Sequence, residues 1–255
     1  MKERPVFSQT NASGGIEAEA IAWLTRKLER LTDLDDHDRA HLAALTVRIE
    51  EVPAGRHLIR EGQRPDECCL LVSGFACRHK LTADGSRQIV SFHLRGDIVD
   101  IQHLLLARAD HNVQTISPSV LAWIPKEQLV RLAWQRPAVG QALWRDCLID
   151  ASIFREWVLN VGRRDGRSRI AHMLCEFAAR SEAAGLGGTQ HFDLPMTQEQ
   201  IGDATGLTSV HVNRMLKVLR DEGAIARAGR QVRITDWERL RAIADFDPHY
   251  LHAAA

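Results

Sequence analysis

No run of apolar residues in this 255-residue chain approaches the ~18 that a membrane-spanning helix needs. Net charge is also missing, with 33 Lys and Arg against 33 Asp and Glu. The chain as a whole therefore does not advertise a polyanionic partner. Cysteines are few and oddly numbered: Cys68, Cys69, Cys77, Cys147 and Cys175, with no Cys-x-x-Cys. That leaves no metal-ligand spacing and no expected disulfide framework, and each reads as a small apolar core residue. Aromatics are scarce at 5%, with one Tyr against six Trp. Residues 1–15 lack the apolar stretch of a signal peptide and are rich in Ser, Gly, Asn and Thr. They read as a disordered tail, and the expected location is cytoplasmic.

Catalytic constellations are absent as well. No nucleophile–base arrangement or metal-ligand cluster stands out, so neither an enzyme nor a metal site is expected. Gly185-Leu-Gly-Gly188 lies between helical segments rather than between a strand and a helix. It does not read as a phosphate-cradling loop.

What is present begins with an amphipathic stretch, Ile16–Leu31, and a short helix over Asp35–Leu45. From Val47 to Ile124 short apolar runs alternate with glycines at 55, 62, 74, 85 and 96. That texture predicts a β-sandwich or small barrel, with a hairpin turn at Ala83-Asp-Gly-Ser. Helical spacing resumes at Pro125 and again at Pro137. Leu143, Trp144, Cys147, Leu148, Ala151, Phe154, Trp157, Val158 and Val161 form two apolar stripes on one long helix. One stripe faces the chain's own barrel. The other (Trp144, Leu148, Ala151, Phe154, Val158) needs a partner, most simply the same helix of a second copy. Gly162–Gly166 reads as a hinge, Arg167–Ala184 as a helix, and Ala184–His191 as a Gly-rich loop.

The most informative stretch is Thr197–Leu219. Thr197 is a helix N-cap, and Gln200 three residues later completes a capping box. Ile201 and Ala204 point inward, Gly202 allows a close crossing, and Gly206 supplies a left-handed turn. Thr208 caps a second helix that buries Val212, Met215, Leu216 and Leu219. Its opposite face presents Ser209, Val210, Asn213, Arg214 and Lys217. This is a helix-turn-helix whose second helix enters the major groove of double-stranded DNA. Arg214 suits guanine O6 and N7, Asn213 suits adenine, and Val210 suits a thymine methyl, with Ser209 alongside. Thr197, Gln198, Thr208, His211, Lys217 and Arg220 are placed for the DNA backbone, as is Arg230. Gly223–Ile234 reads as a hairpin wing with Ile225, Val232 and Ile234 inward and Arg230 at its tip, and Trp237–Phe246 as a closing helix. Between residues 208 and 233 six basic residues stand against two acidic ones, a local +4.

These residues resemble the CRP/FNR family of bacterial transcription regulators. The likeness is strongest over residues 194–234 and weaker over 47–169. It implies an α+β chain: an N-terminal jelly-roll barrel of the cyclic-nucleotide-binding type with flanking helices, a long dimerisation helix, and a C-terminal winged helix-turn-helix. The expected parts are a tail at 1–15, a sensor domain at 16–136, the dimerisation helix at 137–162 and the DNA-binding domain at 163–248. The resemblance further implies a homodimer on a palindromic promoter site, and recruitment or blocking of RNA polymerase. Ser209, Val210, Asn213 and Arg214 fall where the family reads bases. Val210 replaces the family's common Glu, which removes an acceptor for cytosine N4 and predicts a different half-site.

The effector is not named by the sequence. Relatives that bind cyclic AMP (cAMP) use a Glu and an Arg; here Ile101 and His111-Asn112 stand at or near those positions, with Arg108 close by. No Cys precedes Cys68, against an iron–sulfur cluster. Haem has His93, His103, His111 and Cys77 as candidates by residue type alone. Adjacent Cys68 and Cys69 point to opposite faces of a strand, against a vicinal redox pair. The expected function is a DNA-binding regulator; the alternative is a ligand-binding regulatory subunit acting through protein contacts.

Overall fold

A computed structural model describes residues 13–186, 191–229 and 231–252. Most of the expected tail, residues 1–12, lies outside them. Helix α1 covers Ser13–Glu29, so the helix begins three residues earlier than apolar spacing alone marks. Helix α2, Asp36–Ala43, starts on an Asp35 capping box, in which Asp35 Oδ1 accepts from Asp38 N at 2.7 Å.

Seven strands follow: β1 (Arg48–Val52), β2 (His57–Ile59), β3 (Glu67–Ser73), β4 (Ala76–Leu81), β5 (Arg87–His93), β6 (Asn112–Thr115) and β7 (Ser119–Pro125). They form two open sheets, β1-β7-β3 and β2-β6-β4-β5, and not the closed barrel that the sequence texture allowed. The free edge of β3 explains this. Residues 96–99 run along it outside any strand, with a single antiparallel bridge from Ile98 to Leu70, Gly96 N donating to Leu71 O and Val99 N to Cys69 O. That segment satisfies the edge groups that a further strand would have taken.

Strand alternation sorts the core. Cys69 and Leu71 face the space between the sheets, with Val113 and Leu121. Cys68, Leu70 and Val72 face Leu24 and Leu28 of α1. Burying each such Leu or Val contributes about 1.5–3 kcal/mol. The outer face of β4 and β5, with Cys77, Ile89 and Phe92, shares a third core with the C-terminal half. The two adjacent cysteines thus lie in different cores.

Helix α3 (Lys126–Gln135) leads into α4 (Pro137–Arg163), which has Pro at its first turn. Gly162 lies inside α4 rather than in a hinge. The chain breaks at Arg164, whose backbone is extended, because Asp165 caps the next helix by accepting from Ser168 N at 2.9 Å. Helix α4 buries Val139, Leu143, Ile153 and Trp157 on one side. Trp144 (68% exposed), Leu148 (65%), Phe154 and Val158 stand on the other, with Ala151 also exposed.

Helix α5 (Gly166–Ala183) is followed by β8 (His191–Asp193), whose first residue is the last of the expected loop; residues 187–190 of that loop lie outside the described residues. Then come α6 (Gln198–Thr205), α7 (Ser209–Asp221), β9 (Ile225–Ala228), β10 (Gln231–Ile234) and α8 (Trp237–Ala244). The wing is a three-stranded sheet, β8-β10-β9. Among the described residues no helix is long and apolar enough to cross a membrane.

Candidate nucleic-acid interface

The turn between α6 and α7 is held by two N-caps, Thr197 and Thr208, and by Gly202 and Gly206. Thr197 Oγ1 accepts from Gln200 N (3.2 Å), and Gln200 Oε1 accepts from Thr197 N (2.9 Å). The predicted capping box is therefore formed. Gly206 ends α6 in the left-handed region at φ 68°, with its N–H on Gly202 O. A Cβ on Gly202 would lie 2.4 Å from Leu207 O, so α6 tolerates no side chain where the turn crosses it. Thr208 Oγ1 accepts from His211 N at 3.2 Å and starts α7.

Helix α7 buries Val212, Leu216 and Leu219, while Met215 is half-buried against the same core. Ser209, Val210 (79% exposed), Asn213, Arg214, Lys217 and Arg220 project from its outer face. Gln198 Nε2 donates to Asn213 Oδ1 at 3.3 Å, which joins the start of α6 to that face. Arg214 and Lys217 make no ion pair among the described residues, and Arg220 is 3.7 Å from its neighbour Asp221. His211 is half-buried, its Nε2 against Gly166 and 3.4 Å from Arg214. Thr197 and Thr208 are exposed at two helix starts, where free N–H groups and the helix dipole favour an anion. In the wing, Ile225, Val232 and Ile234 are buried, which matches the expected facing. Arg230 lies outside the described residues. The arrangement presents an exposed basic helix face with polar donors beside it, on which only Arg220 has an acidic neighbour among the described residues.

The N-terminal half grips this module. Arg87 of β5 meets Asp203 of α6, and Gln88 Nε2 donates to Ala204 O at 3.1 Å. Arg180 of α5 donates to Phe92 O (2.8 Å) and pairs with Asp97 at 3.0 Å. Residue spacing gave no sign of these contacts.

Within the N-terminal half, Ile101 is buried and Arg108 is exposed, donating to Gly62 O at 3.3 Å. The buried guanidinium nearby, Arg78, is committed to Asp150 of α4 at 2.7 Å and to Val99 O. These residues do not fit a cyclic phosphodiester, which wants a free guanidinium fork. Burial, with Arg78 and Arg180 opposed by Asp97 and Asp150, holds His93 down at about 3. Burial also holds His103 at about 4, helped by His111 and Arg78. Cys77, pushed up to about 12 by burial, stays a thiol. His103 and His111 come together, with ring centroids 5.4 Å apart. His93 and Cys77 stand outside that pair.

Residues 168–243 match the model of a Crp-like helix-turn-helix domain, and residues 49–135 that of a cyclic nucleotide-binding domain. The transcriptional activator protein FnrL of Cereibacter sphaeroides is 32% identical over 191 residues, covering 73% of this chain and 76% of that protein. The transcriptional activator Anr of Pseudomonas protegens is 28% identical over 212 residues, or 83% of this chain and 86% of the relative. Among solved structures, FixK2 from Bradyrhizobium japonicum superposes with a TM-score of 0.71 at 25% identity, covering 78% of this chain and 98% of that one. A CRP-family transcriptional regulator from Thermus thermophilus gives a TM-score of 0.62 at 21% identity, covering 80% and 100%, which speaks to the fold alone.

Proposed function

The chain belongs to the CRP/FNR family of DNA-binding transcription regulators, and from that premise we propose that it works as a homodimer on a palindromic promoter site. The observation that carries the proposal is the exposed basic face of α7, where Arg214 and Lys217 make no ion pair among the described residues, on a capped helix-turn-helix. In this reading Ser209, Val210, Asn213 and Arg214 read base edges. Thr197, Gln198, Thr208, His211, Lys217, Arg220 and Arg230 hold phosphates. Base contacts set the sequence, and phosphate contacts set register and most of the affinity.

The dimer forms through α4, whose exposed Trp144, Leu148, Ala151, Phe154 and Val158 recur at spacings of three and four. Such a stripe is a coiled-coil seam lacking its partner. Two recognition helices related by a two-fold axis then fall on half-sites one helical turn apart. The division into a sensor domain (16–136), dimerisation helix (137–162) and DNA-binding domain (163–248), contact with RNA polymerase, a cytoplasmic location and the lack of catalytic activity complete the reading. Its signal is an unidentified effector of the sensor domain, or none.

A mobility-shift titration on genomic fragments tests this. Binding should select a minority of fragments and weaken steeply between 50 and 200 mM salt, by about 10³-fold or more for six or more phosphate contacts. Equal binding to every fragment, or affinity indifferent to salt, would overturn it.

A further inference from the structure

We propose that His103, His111 and Asp110 form a site for a divalent first-row transition-metal cation in the sensor half. Their potential ligand atoms lie within 4.8 Å of one another. Metal–ligand bonds of ~2.0–2.2 Å place ligand atoms about 3–4 Å apart in a tetrahedral site, so small side-chain rotations close it. His103 is 1% exposed, and neither ring nitrogen has a hydrogen-bond partner among the described residues. A buried imidazole left so is a cost that the rest of the fold does not return. A cation is a partner that would return it.

The surroundings orient both rings for that role. Asp110 Oδ1 accepts from His111 Nδ1 at 2.6 Å and Gln102 Nε2 donates to His111 Nε2, so a cation shared by Asp110 and His111 takes the place of the Nδ1 proton. Asp100 Oδ2, buried and likewise without a partner, stands 4.0 Å from His103 Nδ1. A carboxylate behind an imidazole, as Asp100 stands behind His103, is the usual arrangement around metal-binding histidines. Two imidazoles and one carboxylate suit zinc, iron, nickel or copper over calcium or magnesium, which prefer all-oxygen sets. The exposed side chain of Asp110 brings negative charge and gives entry from solvent.

The site adjoins the strut between sensor and α4. Gln102 Nε2 lies 3.1 Å from His111 Nε2, and Gln102 Oε1 3.5 Å from the Arg78 guanidinium that pairs with Asp150. The spacing from His103 to His111 crosses a loop and matches no helical or strand period, which is why the sequence offered the two histidines only by type. Metal binding here does not depend on the DNA-reading assignment.

The test uses the full chain without an affinity tag, stripped with chelator and titrated with Co²⁺ while its d–d absorption is followed. One saturable Co²⁺ per chain, displaced by Zn²⁺, is expected. His103→Ala and His111→Ala should abolish the bands. Asp110→Asn, at an exposed position, should weaken binding by ~10-fold or more while the metal-free melting curve stays unchanged. His249→Ala, at an exposed histidine far along the chain, should bind as the wild type does. No saturable binding by the wild type, or His103→Ala and Asp110→Asn binding like the wild type, would overturn the assignment.

Discussion

Arg87 and Asp203 clasp the N-terminal half to the helix-turn-helix: Nε (2.7 Å) and Nη2 (2.6 Å) of the guanidinium both donate to Asp203 Oδ2. Both side chains are three-quarters buried, so the pair is less screened than a surface bridge. In a double-mutant cycle of Arg87→Ala and Asp203→Ala, denaturant unfolding should show a coupling of about 1 kcal/mol. Strictly additive losses would mean that the two residues do not act on each other.

The exposed stripe on α4 predicts a charge-sensitive dimer. Leu148→Glu places a carboxylate where two copies of the stripe would meet, while in the monomer the position is 65% exposed. Sedimentation should shift from dimer to monomer, with secondary structure and thermal melting of the monomer retained. An unchanged dimer would place the interface elsewhere.

Acid should weaken the fold through buried neutral histidines. An unfolded histidine takes its proton near pH 6.5, but burial holds folded His93 near 3. The folded pKa is the lower one, so its stability contribution is complete above ~6.5 and is lost as pH falls toward 3, at up to ~1.4 kcal/mol per pH unit. The drop in unfolding midpoint between pH 7 and pH 5 should be smaller in His93→Gln. An equal drop in both proteins would contradict this.

Val210 predicts altered reading rather than altered folding. It is 79% exposed near the start of α7. Val210→Glu adds an acceptor for cytosine N4. Selection from random duplexes should enrich cytosine at one position per half-site in the variant alone, with melting temperature unchanged. Identical selected sites would remove residue 210 from the base-reading set.

The helix-turn-helix was legible because its signals are local. Thr197, Gln200, Gly202, Gly206 and Thr208 each act within a few residues, and α7 sorts its faces by its own period. Strand β8 was not legible: three residues carry no period, and its pairing with β10 spans some forty positions. The open edge of β3 depends on the segment 96–99, which meets it through one bridge that no strand pattern announces. The expected base readers all lie on the free face of α7. The Arg87–Asp203 clasp joins residues 116 positions apart and left no trace in spacing.

The most direct measurement is the affinity of Arg214→Ala for the selected site and for a mismatched duplex, beside Lys217→Ala. Both side chains are exposed, so neither change should disturb the fold. Arg214→Ala should lose about 1–3 kcal/mol on the selected site and much of its discrimination, whereas Lys217→Ala should weaken both duplexes alike. If Arg214→Ala binds as tightly and as selectively as the wild type, α7 does not read the groove as described.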